Sequence, residues 1–460
     1  MIIKRIRRDL VLLGTTGFCA YAHTGIVFSQ VVDSGISTAA NTFQSFQGAS
    51  IARDSGLNKP LDLLNDFYPA IVVEIEDHDN VRRRPDFDES DTRLVVKPSL
   101  AYRTNIGRHQ FYAAYVGTFT RHQEIDQEDA ESNIVSANLG LDLTRRWDLD
   151  LFGSVGNGFE ERSISGSREF NQFSNNGIDS GPENVDFRSY GADLSFGRQN
   201  GIVTAVLGYE YNETSFDNDN LFNNADAGDR DREAESVHLD LSWHFASKTS
   251  VFGRVQYTET DFNSPQSSLD NEQVEYVAGL RFKPANTLSG VVGVGRTVRE
   301  FDDIEREEFD GSTYYVNLNY SINPFSNIAF NASRFVEDPS DEDSSFFESE
   351  LFGLSWTHSL SEKLIFNSYA KLIDDDFDND REDQFVDWGL GLDYVWRSWL
   401  TAGVYYGDIE RTSTDEAVEF DDRFVGIRFT SDLRSFLKGR SKKRREPASF
   451  GEPKKTSFSQ

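Results

Sequence analysis

Eight side chains stand at the same point of a repeated phrase: Asp142, Asp193, Asp240, Arg281, Asn319, Ser355, Asp393 and Arg428. Each is the polar middle residue of an apolar-x-apolar triplet, as in LGLDLTRRW and LGLDYVWRSW. Each comes shortly before a turn signal. Gathered at one depth, four aspartates facing two arginines could filter ions or orient a passing solute, as charged rings do in pores. The plainer reading is that any wet interior needs polar residues on alternate positions. Both readings require elements that bring all eight to one depth facing water.

The elements are legible from alternation. SANLGLDLTRRW, GADLSFGRQNG, SVHLDLSWHFASK, VAGLRFKPANT, YVNLNYSINPFSN, LFGLSWTHSLSEK and LGLDYVWRSW are period-two strands, each ending in a tight break. Gln199-Asn200-Gly201, Pro284-Ala285-Asn286 and Asn323-Pro324 carry the turn chemistry. A second alternating strand leaves each break, as in IVTAVLGYEYNE and WLTAGVYYGD, and runs into a long acidic stretch. The unit is a hairpin, and its repetition predicts about eighteen strands, the first near 70–76 and the last near 423–430. Long and short connections alternate, and one strand face is apolar while the other is polar. The fold class expected is all-β, a transmembrane up-and-down antiparallel β-barrel with long extracellular loops and short periplasmic turns. A soluble propeller repeats strands too, but has no reason to sort its connections by length.

The aromatics agree. Trp147, Trp243, Trp356, Trp396 and Trp399 cluster near short turns, as an aromatic girdle at the periplasmic interface would. Phe159, Phe216, Phe301 and Phe377 each precede an acidic residue at the other strand ends, which predicts a second lipid-facing girdle there.

Composition sets limits. The chain has 460 residues and a formal net charge of −31, which argues against nucleic acid as a partner. Aromatics make up 13%, too many for a disordered chain. Lys4, Arg5, Arg7 and Arg8 precede the apolar run VLLGTTGFCAYA, and Ala20-Tyr21-Ala22 fits a signal-peptidase site. The expected organisation is a signal peptide over 1–22 (alternative cut near 30), a loose periplasmic segment over 31–68, a barrel over 69–431 and a basic periplasmic tail over 432–460. Both termini then lie in the periplasm. The lone cysteine, Cys19, falls inside the leader, so no disulfide framework is expected.

The stretches FYPAIVVEIEDHDNVRR and LVVKPSLAYRTNIGRHQFYAAYVGTF resemble the start of the putative β-barrel porin family found with exopolysaccharide biosynthesis. Asp79-Asn80 with Arg82 matches that family's ending to its first strand, and Gly107 to Gln110 its next hairpin closure. The resemblance spans roughly 65–430. It implies an outer-membrane barrel beside polysaccharide synthesis and export proteins, and no catalytic residues. The C-terminus departs from such barrels, passing Phe429 and continuing into a basic stretch.

Other constellations add less. DDDFDNDRED (374–383) and the loop over 217–233 are rich in carboxylates, but neither has the EF-hand frame, so no metal and no cofactor are expected. His78, His109, His122, His238, His244 and His358 are scattered outside any Ser/His or metal spacing, so an enzyme is not expected. The reading favoured is an outer-membrane channel serving as a conduit for exopolysaccharide with a periplasmic export partner. The alternatives are a general diffusion porin, or a lectin or adhesin barrel that retains polysaccharide. Outer-membrane lipid and lipopolysaccharide are the surrounding partners.

Overall fold

The computed structural model describes residues 67–433, apart from stretches at 84, 86–88, 161–181, 198–200, 218–230, 247, 264–266, 286 and 340–343. The expected leader, the segment before the first strand and the basic tail lie outside the described residues, as does most of the two longest loops.

Eighteen strands follow one another: β1 (Phe67–His78), β2 (Asp91–Ile106), β3 (His109–His122), β4 (Ala130–Asp142), β5 (Trp147–Glu160) and β6 (Glu183–Phe196) lead. Next come β7 (Val203–Asp217), β8 (Arg232–Ala246), β9 (Thr249–Phe262), β10 (Asn271–Ala285), β11 (Leu288–Phe301) and β12 (Phe309–Asn323). The last are β13 (Ser326–Glu337), β14 (Phe347–Ser359), β15 (Leu364–Phe377), β16 (Glu382–Arg397), β17 (Leu400–Ser413) and β18 (Phe420–Asp432). Every strand pairs antiparallel with its chain neighbours, and β1 also pairs with β18, so the sheet is a closed barrel of 18 strands. Strands of 12–16 residues, rising about 3.4 Å per residue at a tilt near 40°, give a wall roughly 35 Å tall.

Local sequence explains the hairpins. Gly107 takes φ +66°, which a two-residue turn requires and which a side chain would resist. The eight short connections share one end. The expected length alternation fails at one place: most of DDDFDNDRED is strand, and only 378–381 turns. Lumen-facing Asp375 and Asp383 are buried there, which favours strand over a solvated loop.

The two faces are clearest on β8. Arg232, Ala234, Ser236, His238, Asp240 and Ser242 are buried inside, while Val237, Leu239, Leu241, Trp243 and Phe245 are exposed outside. Directly paired residues share a face, so the registers carry this assignment around the barrel. At the short-turn end Trp147, Trp243, Trp356 and Trp396 are exposed on the outer surface, and Trp399 is half-exposed in its turn. Trp147 packs on Phe196 (4.9 Å between centroids) and Trp356 on Phe366 (5.4 Å).

The second girdle is corrected. Phe216, Phe301 and Phe377 fall on the inward phase, and buried Phe159 lines a small cavity beside β1. Phe347 and Phe377 stack at 4.9 Å, and Phe301 joins an apolar cluster of Phe309, Val336 and Phe346. Tyr190, Tyr209, Tyr276 and Tyr406 are exposed on the outer surface near mid-strand. Adjacency to an acidic residue says nothing of which face a ring takes; the strand's phase decides.

The seam between β1 and β18 is held by more than backbone. His78 Nδ1 lies 2.9 Å from Asp422 Oδ2, and Arg83 Nε lies 3.5 Å from the same oxygen. Asn80 donates to the Asp421 carbonyl at 3.0 Å, and the Arg423 amide donates to the Asp79 carboxylate at 2.6 Å. Lower down, Tyr405 donates to Glu76 (2.5 Å) and Lys97 pairs with Glu74 (2.8 Å). The Asp-Asn motif that carried the family resemblance is therefore part of the closure.

Asp422 is 1% exposed, hydrogen-bonds His78 and faces Arg83, so removing its charge breaks a buried charge pair. Asp422→Asn should destabilise the barrel by about 3 kcal/mol, read as a lower urea midpoint for loss of the folded, fast-migrating band. Asp421→Asn, at the exposed Arg423 pair, should leave that midpoint in place.

Candidate functional site: the lumen wall

All eight residues singled out by the repeated phrase face the lumen by register and alternation. They do not form one ring of isolated charges. Asp240 is held by Arg254 through two hydrogen bonds (2.9 and 3.0 Å). Asp393 accepts from Arg428 (3.1 Å) and from Asn367 (2.7 Å). Arg281 donates to Ser242 (2.8 Å) and lies over the Phe252 ring at 4.0 Å. Asp193 sits 3.5 Å from His238 Nε2, and beside Asp142 the backbone amide meets His109 Nδ1 at 3.1 Å. Asn319 pairs in register with Ala329, and Ala329 with Ser355.

The sequence carried a signal for one of these partners. Asp240 and Arg254 lie six and five residues from the turn between β8 and β9, and the bulge between Trp243 and Ala246 brings them into register. Arg428 and Asp393 sit on strands that are not neighbours, and no local rule joins them.

Around the lumen the wall changes character. From β5 to β10 it carries Asp150, Asp193, Glu210, Asp240 and Glu275, with Arg254 and Arg281 among them. From β16 through the seam to β2 charges of both signs interlock: Asp393 with Arg428, Glu74 with Lys97, Glu76 with Arg93 (2.5 Å). Between these, β12 to β14 present asparagine, serine and threonine.

Several rings lie against the wall rather than across the opening. The Tyr405 ring occupies the space a side chain at Gly426 would need, Phe424 does so at Gly407, and a Cβ at Gly389 would sit 2.6 Å from Tyr369. A glycine on the neighbouring strand thus lets each ring fold flat, the device by which aromatic residues shield strand glycines. Arg428 then lies over Tyr405 at 5.4 Å, which aims its guanidinium at Asp393.

At the long-loop end the chain after β13 crosses part of the mouth. Asp338 reaches Arg299 of β11 at 2.7 Å and Arg232 of β8 at 3.7 Å. Arg306 donates to the Ser344 carbonyl (3.0 Å), and the Ser345 amide to Asp378 (2.8 Å). Most of the two longest loops, after β5 and β7, lies outside the described residues. Among the described residues, no cluster of histidine, cysteine and carboxylate side chains is placed to hold a metal ion, and no helix is long and apolar enough to cross a membrane, which says nothing of strands.

The sequence pattern of the family described as "Putative beta-barrel porin 2" matches residues 67–432, the interval from β1 to β18. No curated protein sequence matches the chain. Solved structures similar in fold include Pseudomonas aeruginosa OpdK with vanillate, at 12% identity and TM-score 0.44, covering 80% of this chain and 98% of that one. Another is Pseudomonas aeruginosa OccK2 (OpdF) in complex with glucuronate, at 11% identity and TM-score 0.44, covering 80% and 99%.

The fit of ring to glycine generates a test. Gly426→Val should overpack the wall and cost about 1–3 kcal/mol, read from the urea midpoint. In a Tyr405→Ala background the same change should cost much less, because the clashing ring is gone. An equal cost in both backgrounds would show that the ring is not the obstacle.

Proposed function

The chain belongs to the family described as "Putative beta-barrel porin 2", an integral outer-membrane channel by that membership and by its closed barrel, and from this premise we propose that it conducts exopolysaccharide outward. The observation that carries the reading is the quenching of charge on the lumen wall. Asp240 with Arg254, Asp393 with Arg428, Glu76 with Arg93 and Glu74 with Lys97 satisfy one another. Where the wall is neutralised in this way, from β16 through the seam to β2 and at Asp240, it wets a long hydrophilic chain without gripping it at any one charge. A periplasmic export protein would feed the polymer to the short-turn end, with both termini on that side, and the basic stretch from Lys438 to Arg445 is available as its contact. The channel reading assigns no catalytic residue.

A general diffusion porin is the second reading, favoured by the segment from Asp338 that crosses part of the mouth and would narrow the path for large solutes. Deleting the gene decides between them. As an export conduit, its loss stops polymer release and leaves polymer in the periplasm; as a porin, its loss slows uptake of small solutes and leaves secretion normal.

The eight lumen residues have a role of their own in this proposal. Four aspartates against Arg281 and Arg428 of the ring, with Arg254 beside Asp240, leave a small negative excess that makes an open pore mildly cation-selective, and the effect fades as salt shortens the Debye length from about 8 Å at physiological strength. Replacing Asp142, Asp193, Asp240 and Asp393 together by asparagine should lower the cation preference measured from reversal potentials in planar bilayers. An unchanged reversal potential would place the filter elsewhere.

A further inference from the structure

One sector of the wall is chemically unlike the rest. In register, Asn317 pairs with Asn331, and Ser321 with Asn327. Asn327 pairs onward with Thr357, and Thr357 with Asn367. Below the level of Tyr315 and Ser333, β12, β13 and β14 present no charged side chain to the lumen. The sector ends at Tyr369, which faces the lumen and is 36% exposed, the ring folded over Gly389 so that one face remains open. Asn317, Asn331 and Asn327 are only half-buried, so their amides meet the lumen.

We propose that this amide sector is a glycan-binding track, and that the chain it accepts is uncharged. The inference rests on the conduit reading and adds to it the class of polymer. An amide both donates and accepts hydrogen bonds and carries no charge, so a row of amides matches sugar hydroxyls in either orientation. Rigid strands hold the amides in fixed registers, and an open tyrosine face offers a stacking surface for the apolar side of a sugar ring. The opposing choice, a polyanion, meets the β5 to β10 wall, where Asp150, Asp193, Glu210, Asp240 and Glu275 outnumber Arg232, Arg254 and Arg281. A polyuronate would be repelled there and gain no cation on the amide side, apart from Lys371 at its edge.

Recordings on the full chain in planar bilayers test this with two probes, cellohexaose and an oligouronate of the same length. In a conducting pore, cellohexaose should produce brief current blockades that the oligouronate does not. Asn317→Leu with Asn331→Leu, nearly isosteric but unable to hydrogen-bond, should shorten the blockades about tenfold. Salt conductance and heat-modifiable migration should stay as they are. If the leucine pair fails to fold, Asn317→Ala with Tyr369→Ala carries the same expectation. A conducting wild-type pore that ignores cellohexaose, blockades indifferent to the substitutions, or stronger blockade by the oligouronate would each overturn the proposal. Absence of salt conductance in the wild type would instead bring down the channel reading on which it rests.

Discussion

A strand inside a lipid layer has nowhere to leave an N–H or a carbonyl unpaired. That constraint governs the whole molecule, because it allows a spanning sheet only if the sheet has no edge. The first and last strands must therefore meet, and side chains reinforce the backbone where they do. His78, Arg83 and Asp422 share one buried polar cluster, and Asn80 and Asp79 tie the first turn to the backbone of β18. Closure also fixes a lumen and a lipid face for every residue, and so determines what each side chain can do.

Given closure, the lumen wall becomes a problem of packing charge and ring on a curved, pleated surface. The solution is local. Arginines answer carboxylates on adjacent or next-adjacent strands, and rings fold onto glycines of the neighbouring strand instead of projecting inward. The result is a tube whose polarity is distributed in sectors: acidic on one side, interlocked at the seam, amide-rich between. Passage is then a matter of which sector a solute prefers to follow.

Much of this was legible in the sequence because the barrel is written in short-range grammar. Period-two alternation and turn residues such as Gly107 act within a dozen residues, and they gave the strand count, the hairpins and the inward phase of Asp142 through Arg428. The tryptophans near short turns lie on the outer surface as that phase requires. The long-loop end was read less well. Phe216 and Phe377 look outward if one reads their acidic neighbours, and inward if one counts from the core of the strand; the count is right. The stretch 374–383 reads as a loop by composition, yet its alternate aspartates are buried in strands beside Arg381 and Arg411. Asn80 with β18 depends on ring closure and Asp393 with Arg428 on reach across an intervening strand, and neither has a local signature.

The seam also sets an order of events in time. His78 and Asp422 lie 344 positions apart in the chain, so the contact that completes the cylinder joins nearly its first residues to its last. Hairpins can form as each pair of strands becomes available, since their closure needs only short loops, whereas the terminal pairing carries the largest loop entropy and must come late. Until then β1 and β18 are open edges in a hydrophobic surrounding. A nascent barrel of this design is therefore a curved, unfinished sheet for most of its assembly, and it depends on whatever shelters those two strands until they find each other.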